Sequence, residues 1–494
     1  MNLMDHLPIL LVIIPLLTAP LCVLVDHPRV SWLLALAASW LSFATAIALA
    51  IQVSATGVIS YELGGWAPPW GIEYRVDTLG SYVLIIVTAM AALVMVAAKQ
   101  SVSREIPAER IARFYAAFML VFAGLAGIVA TGDAFNVFVF LEVSSLASYV
   151  LISMGRDRRA LNAAFQYLVM GTIGATFILI GIGFLYMMTG TLNMQDLAAR
   201  LPEVSDTRTV RAGFAFLTVG IALKLAMFPL HLWLPNAYAY APSVVSAFLA
   251  ATATKVAVYL MLRFVFSVFG HDFTFGQMAL QYILLPLAMI AIISASLVAV
   301  FQENLKRMLA YSSVAQIGYI LLGLAIMSAE GVTASMLHLF NHALMKGALF
   351  IALGAIMWRV GSVQLHDLAG LGRYMPWTLG AFVIGALSLI GMPLTAGFVS
   401  KWYLVTAAMA AGWWWLVPVI AVGSLLAVIY VWRVIEVVWF RPANPKLAGH
   451  GEAPLSMLGP AWGLALANLY FGINTDLTTG TAEAAVAALF GGLR

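Results

Sequence analysis

The chain has 494 residues, of which 63% are hydrophobic and 9% charged, with a net charge of +4 and a mean hydropathy of +0.98. A soluble domain carries about 25% charged residues, so a water-soluble enzyme, a nucleic-acid binder and a disordered chain are excluded. The single cysteine, Cys22, leaves no disulfide framework, no Cys-based zinc site and no iron–sulfur centre.

Length here counts spans, because one membrane-crossing helix needs about 20 apolar residues. The hydrophobic windows predict fourteen: 7–25, 30–53, 79–98, 112–131, 134–154, 162–189, 210–228, 243–267, 279–301, 309–328, 332–358, an interrupted 376–408, 413–438 and 455–473. The first reads as a span, not a cleavable signal, because no cationic segment precedes it and a second apolar run follows directly. The longest polar stretches, 54–77 and 190–211, are too short to fold alone.

Lysine and arginine set the orientation. Fifteen of them, including Arg29, Lys99, Arg156, Arg158, Arg159, Lys306 and Arg307, fall in loops that follow odd-numbered spans. Six, including Arg75, Arg200 and Arg263, fall in the even loops and the C-terminal tail. The odd loops are therefore expected in the cytoplasm and both termini outside, in a multi-pass protein of the cell (inner) membrane.

Four basic residues remain, all inside apolar windows: Lys224, Lys255, Lys346 and Lys401. Among the acids only Glu142 reads as comparably deep. A charge at the centre of a spanning helix costs about 2.5–3.5 kcal/mol on the insertion scale, so four lysines cost roughly 10–14 kcal/mol before compensation. A single lysine can snorkel to the interface. Four, with a carboxylate and two mid-span histidines, point instead to an ion pathway. An ammonium loses its proton readily when desolvated, and a nearby carboxylate restores it. A lysine that alternately gains and loses Glu142 as a partner is thus a proton site that needs no cofactor.

In the window 332–358, His338, His342 and Lys346 recur every four residues and share one helical face. That stripe can relay protons through water, whereas the alternative is a polar seam between helices. Zinc is disfavoured, because the window offers the two histidines no third Cys, Asp or Glu ligand. Two spans read as broken. Pro229 follows Lys224, and Gly391, Pro393 and Gly397 precede Lys401. Transporters place such breaks at corresponding points of repeated halves. The two lysines lie 177 positions apart, which fits five-span units at 112–267 and 279–438, flanked by 1–111 and a C-terminal helix and tail at 439–494.

Five segments in order carry a family resemblance: GDAFNVFVFLEVSSLASYVLI (132–152), KLAMFPLHLWLPNAYAYAPSVVSAFLAATATKVAVY (224–259), NLKRMLAYSSVAQIGY (304–319), HLFNHALMKGALFIALG (338–354) and GMPLTAGFVSKWYL (391–404). Over roughly 75–440 the chain resembles the proton-conducting antiporter-like subunits. These comprise the large subunits of Mrp-type cation/proton antiporters, three membrane-arm subunits of respiratory complex I, and relatives in membrane-bound hydrogenases. The resemblance implies an all-α polytopic fold of about fourteen helices, with two inverted five-helix repeats and a broken helix in each. It implies that Glu142 and Lys224 are a coupled pair and that Lys255 lies next along a hydrophilic axis. His338, His342 and Lys346 would link that axis to Lys401, the terminal lysine. The ATAT run before Lys255 departs from relatives that carry a histidine or larger residue there.

The GDAFN and AYAPSVVSA segments are most similar to the D-type large subunit of Mrp antiporters. That likeness implies a secondary-transport subunit, not an enzyme, moving protons and in exchange sodium among other hydrophobic subunits, with no cofactor and no nucleic acid. The competing expectation is a proton-pumping subunit of a redox-driven complex, and a third is a structural subunit with an idle channel.

Overall fold

The computed structural model describes residues 3–491. Two long apolar helices, α1 (Leu7–Val25) and α2 (Pro28–Thr56), lead into a hairpin of β1 (Ile59–Glu62) and β2 (Glu73–Val76), paired antiparallel with Ile59 opposite Val76. Next come α3 (Thr78–Glu105), α4 (Ile111–Ala130), α5 (Ala134–Ser153), α6 (Arg159–Thr189) and the short α7 (Met194–Val204). Then follow α8 (Arg208–Lys224), α9 (Trp233–Tyr240), α10 (Ser243–Leu262), α11 (Gln281–Val300), α12 (Leu305–Ala325) and α13 (Ala329–Val360). The chain finishes with α14 (Pro376–Ile390), α15 (Ala396–Ala410), α16 (Leu416–Ile435), α17 (Leu455–Ile473) and α18 (Asp476–Gly491).

Among the described residues, eleven helices are long and apolar enough to cross a membrane: α1–α6, α10–α13 and α16. The other three expected spans are the broken α8/α9, the broken α14/α15 and α17. The fold is therefore an all-α, multi-pass membrane bundle. α4, α10 and α12 are almost wholly buried, whereas α1, α2, α6, α11 and α16 expose apolar side chains around the rim. That inversion suits hydrocarbon, where the outer surface must be as greasy as the lipid and polar groups face inward.

Both polar stretches fold against the bundle. Asn193 Nδ2 donates to Glu73 Oε2 at 2.9 Å, and Gly132 N donates to the Glu73 carbonyl at 2.8 Å, so hairpin and α7 share one face. Arg263 joins that face through Asp77, its Nη1 donating to Oδ2 at 2.7 Å. Burial works against ionisation of Asp77, but the charge and hydrogen bonds of Arg263 outweigh it, and the carboxyl lies below its ordinary range. α18, which falls in the expected tail, returns to the same face, where Phe490 packs on Phe266 at 5.2 Å between ring centroids.

The two breaks are built alike. α8 stops at Lys224, and Ala226 adopts φ 58° before Pro229. Helix resumes at Trp233, whose indole N–H donates to the Leu223 carbonyl at 3.0 Å, beside the Ala226 N–H at 3.2 Å. α14 stops at Ile390, with Gly391 at φ +91° and Leu394 at φ 69°, and α15 begins at Ala396. Gly397 is required there by close approach, since a Cβ on it would meet the Ser388 carbonyl oxygen at 1.8 Å. Left-handed backbone at a residue other than glycine costs on the order of 1–3 kcal/mol and persists only where the surroundings impose it.

Candidate functional site

The four lysines expected at hydrocarbon depth are all inside the protein. Relative exposure is 6% for Lys224, 1% for Lys255, 0% for Lys346 and 6% for Lys401. None points to lipid, and each ammonium has oxygen partners.

Lys224 ends α8, where unpaired carbonyls and the negative end of the helix dipole favour a cation. Its Nζ donates to Ser145 Oγ at 2.8 Å and lies 3.9 Å from Glu142 Oε1. That distance is an ion pair without a hydrogen bond, and Glu142 Oε1 has no hydrogen-bond partner. A cavity of ≈ 30 Å³ touches Lys224, Ser144, Ser145 and Ser148, with Ala253, Val256 and Ala257 of α10 on its far wall. One or two waters fit such a volume.

Lys401 repeats the arrangement from the other half. From the second turn of α15 its Nζ reaches back to the C-terminal end of α14, donating to the Ile390 carbonyl at 2.8 Å and the Leu389 carbonyl at 3.2 Å. Ser424 Oγ of α16 accepts a third bond at 2.9 Å. The ring of Tyr319 lies 4.7 Å from the ammonium. Both lysines thus sit at a break, Lys401 on the carbonyls that end α14 and Lys224 as the last residue of α8, held by Ser145.

Between them stands α13. Lys346 Nζ donates to the Leu309 carbonyl at 2.7 Å and to Ser312 Oγ at 2.5 Å, both on α12. His338 places Nε2 2.8 Å from Gln316 Oε1 and Nδ1 2.9 Å from Ser400 Oγ, the residue next to Lys401. His342 stacks 6.2 Å from His338 between ring centroids, yet neither of its nitrogens has a protein partner. A fully buried imidazole in that condition requires water to satisfy it. Lys255 Nζ donates to the Ala250 carbonyl at 2.5 Å and stands within electrostatic reach of His338, His342 and Lys346. His338 is likewise within reach of Lys401.

Lys255, His342, Lys346, His338 and Lys401 therefore form one cluster, and Glu142 with Lys224 forms a second. The step between them crosses α10. Ala253, Val256 and Ala257 line the Lys224 cavity, whereas helical spacing turns Lys255 to the opposite side, toward α13.

The structure corrects one sequence expectation: Lys306, expected in a loop, is 2% exposed and donates to the Ala241 carbonyl at 3.0 Å. Glu142 lies mid-helix in α5 with a side chain that is 26% exposed, and two further acids, Glu105 at the end of α3 and Glu73 in the hairpin, are buried. Glu142 lies on the outward stripe of α5 with Phe135, Val139, Leu146 and Val150. The partners Ser145, Ser312, Gln316, Ser400, Ser424 and Tyr319 do not stand out in the sequence. Gln316, a polar residue in the middle of a span, is the one visible signal among them. Among the described residues no three His, Cys, Asp or Glu gather as a metal site.

With this geometry in hand, comparisons place the chain. Residues 131–427 match the family described as NADH:quinone oxidoreductase/Mrp antiporter, TM. The N-type subunit of the NADH-quinone oxidoreductase of Desulforudis audaxviator is 43% identical over 453 residues, 91% of this chain and 89% of the relative. The D-type subunit of the Na(+)/H(+) antiporter of Bacillus subtilis is 30% identical over 96% of this chain and 95% of its own length. Among solved structures, a chain of the Mrp complex from Dietzia sp. superposes with a TM-score of 0.90 at 27% identity, covering 99% of this chain and 98% of that one. A chain of the membrane-bound sulfane sulfur reductase, an archaeal respiratory membrane complex, also gives 0.90, at 29% identity and 98% coverage of both. The chain belongs to the NADH:quinone oxidoreductase/Mrp antiporter transmembrane family.

Proposed function

We propose that this chain is the proton-translocating subunit of a multi-subunit cation/proton antiporter of the Mrp type, a transporter component and not itself an enzyme. The observation that carries the reading is the set of buried ammonium and imidazole groups held on oxygen atoms inside an otherwise apolar bundle. Protons pass between Glu142 and Lys224, then along Lys255, His342, Lys346 and His338 to Lys401. Each lysine switches between ammonium and amine as its partners change. Lys401, on the far side of the second break, releases the proton.

The domain reading goes with this. Residues 112–267 form one five-helix antiporter unit and 279–438 the second, inverted with respect to the first, each containing one broken helix. The basic face that carries Arg156, Arg158, Arg159 and Arg307 is cytoplasmic. The hairpin, α7 and both termini are outside. Other hydrophobic subunits surround the chain, and the outward stripe of α5 supports this. A carboxylate among exposed Phe135, Val139 and Leu146 is costly against lipid, so another protein covers it.

A second reading has its own support. The 43% identity to the N-type subunit of an NADH-quinone oxidoreductase favours a proton-pumping subunit of a redox-driven complex. Everted vesicles bearing the whole complex and a pH-sensitive dye distinguish the two. Antiport predicts that added sodium collapses a preformed pH gradient. Redox pumping predicts gradient formation that starts with a quinone reductant and ignores sodium.

A further inference from the structure

On the face opposite the hairpin, a cleft of ≈ 180 Å³ opens between the α5–α6 loop, the α9–α10 corner and the start of α12. Its ionisable lining consists of Glu105, Arg156, Asp157, Arg159, Tyr240 and Lys306. Arg159 is occupied by Asp157, with Nη2 donating to Oδ2 at 2.6 Å, and by the Tyr240 ring. The two groups at the floor differ, because both are buried. Glu105 Oε2 accepts from the Ser243 N–H at 3.0 Å and its hydroxyl at 3.1 Å, and Oε1 accepts from Ser101 at 2.5 Å. Lys306 donates to the carbonyl of Ala241, which Pro242 separates from Ser243, and stands within electrostatic reach of Glu105.

Glu105 and Lys306 thus share the floor of one cleft, within electrostatic reach of each other but without a hydrogen bond between them. The pair also points at the relay. Lys306 and Leu309 lie a turn apart on α12, and Leu309 and Ser312 are the partners of Lys346. The six residues from Lys306 to Ser312 rise about 9 Å.

We propose that Glu105 and Lys306 form the proton-uptake site of the chain, taking protons from the cleft and passing them along α12 to Lys346. The proposal rests on the proton-translocating reading above. The Glu105 carboxylate takes a proton from cleft water. Lys306 gives its ammonium proton inward, along a file of waters beside α12, to a neutral Lys346. The amine left on Lys306 then takes the proton from Glu105, and the pair returns to its starting charge with one proton moved. Uptake thus meets the central cluster at Lys346, while passage on to Lys401 still depends on the Glu142–Lys224 pair. A purely structural role is the competing explanation, since Glu105 caps the start of α10 and Lys306 the end of α9.

Three variants in the assembled complex separate these roles. Glu105→Gln keeps an oxygen for Ser243 while ending proton exchange. The double variant Glu105→Gln with Lys306→Met removes the pair without leaving an unpaired buried charge. Lys224→Ala is the control for the translocation reading itself. Initial rates of dye-detected proton uptake in vesicles are compared at equal amounts of assembled complex. The expected result is a loss of roughly a hundredfold or more in Glu105→Gln and in the double variant, the low end for removing a proton-transfer group. Wild-type rates in both, beside a dead Lys224→Ala, overturn the uptake site and leave the translocation reading standing. Wild-type rates in all three remove the translocation reading as well. Failure of both Glu105 variants to assemble makes the pair a clasp of the α9–α10 corner and equally overturns the proposal.

Discussion

A lysine at hydrocarbon depth persists only if something returns the roughly 2.5–3.5 kcal/mol that its charge costs there. Charge-assisted hydrogen bonds are worth about 1.5–3 kcal/mol each, so the two bonds of Lys346 and the three of Lys401 are of the right size. Nearly all these partners are neutral: serine hydroxyls and backbone carbonyls. Such partners hold an ammonium without fixing its charge, as an unscreened carboxylate contact would. Glu142 is the exception, and its 3.9 Å separation from Lys224 leaves that pair easy to part. Lys224→Ala and Lys401→Ala are each expected to reduce proton transport to the leak rate while the complex still assembles. Dye-quench rates in vesicles, normalised to the assembled complex on a native gel, check both. Glu142→Ala is expected to match Lys224→Ala, since either change removes the same pair.

The broken helices do at element scale what the lysines do at residue scale. A continuous helix has no free carbonyls mid-membrane, whereas interrupting α14 at Gly391 exposes those of Leu389 and Ile390 to Lys401. Gly391 is needed twice: its φ is +91°, and an added Cβ would approach Lys401 Cδ at 2.9 Å. Gly391→Val is therefore expected to strain the break by about 1–2 kcal/mol and to push the lysine off its carbonyls. Transport falls while insertion and assembly persist. A transport rate equal to wild type would show that the position of Lys401 at the break does not matter. The breaks themselves are legible from Pro229, Pro393 and the neighbouring glycines. Their left-handed residues, Ala226 and Leu394, are not, because neither residue type favours that conformation and only packing imposes it.

Across the whole molecule, hydropathy and the placement of Lys and Arg predict the spans because lipid leaves few alternatives to helix. The segments that escape are those lipid does not dictate. The hairpin, α7 and α18 form in polar or mixed stretches and are held by particular contacts, such as Asn193 to Glu73 and Phe490 to Phe266. Glu105 and Lys306 escape for a related reason: beside Arg104 and Arg307 they read as loop charges, and only the packing of α3 against α10 and of α12 against α9 buries them. Lys224, Lys255, Lys346 and Lys401 stand out because each lies well inside an apolar window. What no linear reading supplies is their grouping into two clusters separated by α10.

Lys346 is the midpoint of the larger cluster, fully enclosed and touching no outward face. Lys346→Met keeps its length and removes its charge, so the helix packing is preserved. Initial rates of pH-gradient change should be measured in vesicles carrying this variant at wild-type levels of assembled complex. Proton movement no faster than in vesicles without the complex is the expected result. A wild-type rate would mean that protons cross elsewhere and that the buried amines are not their route.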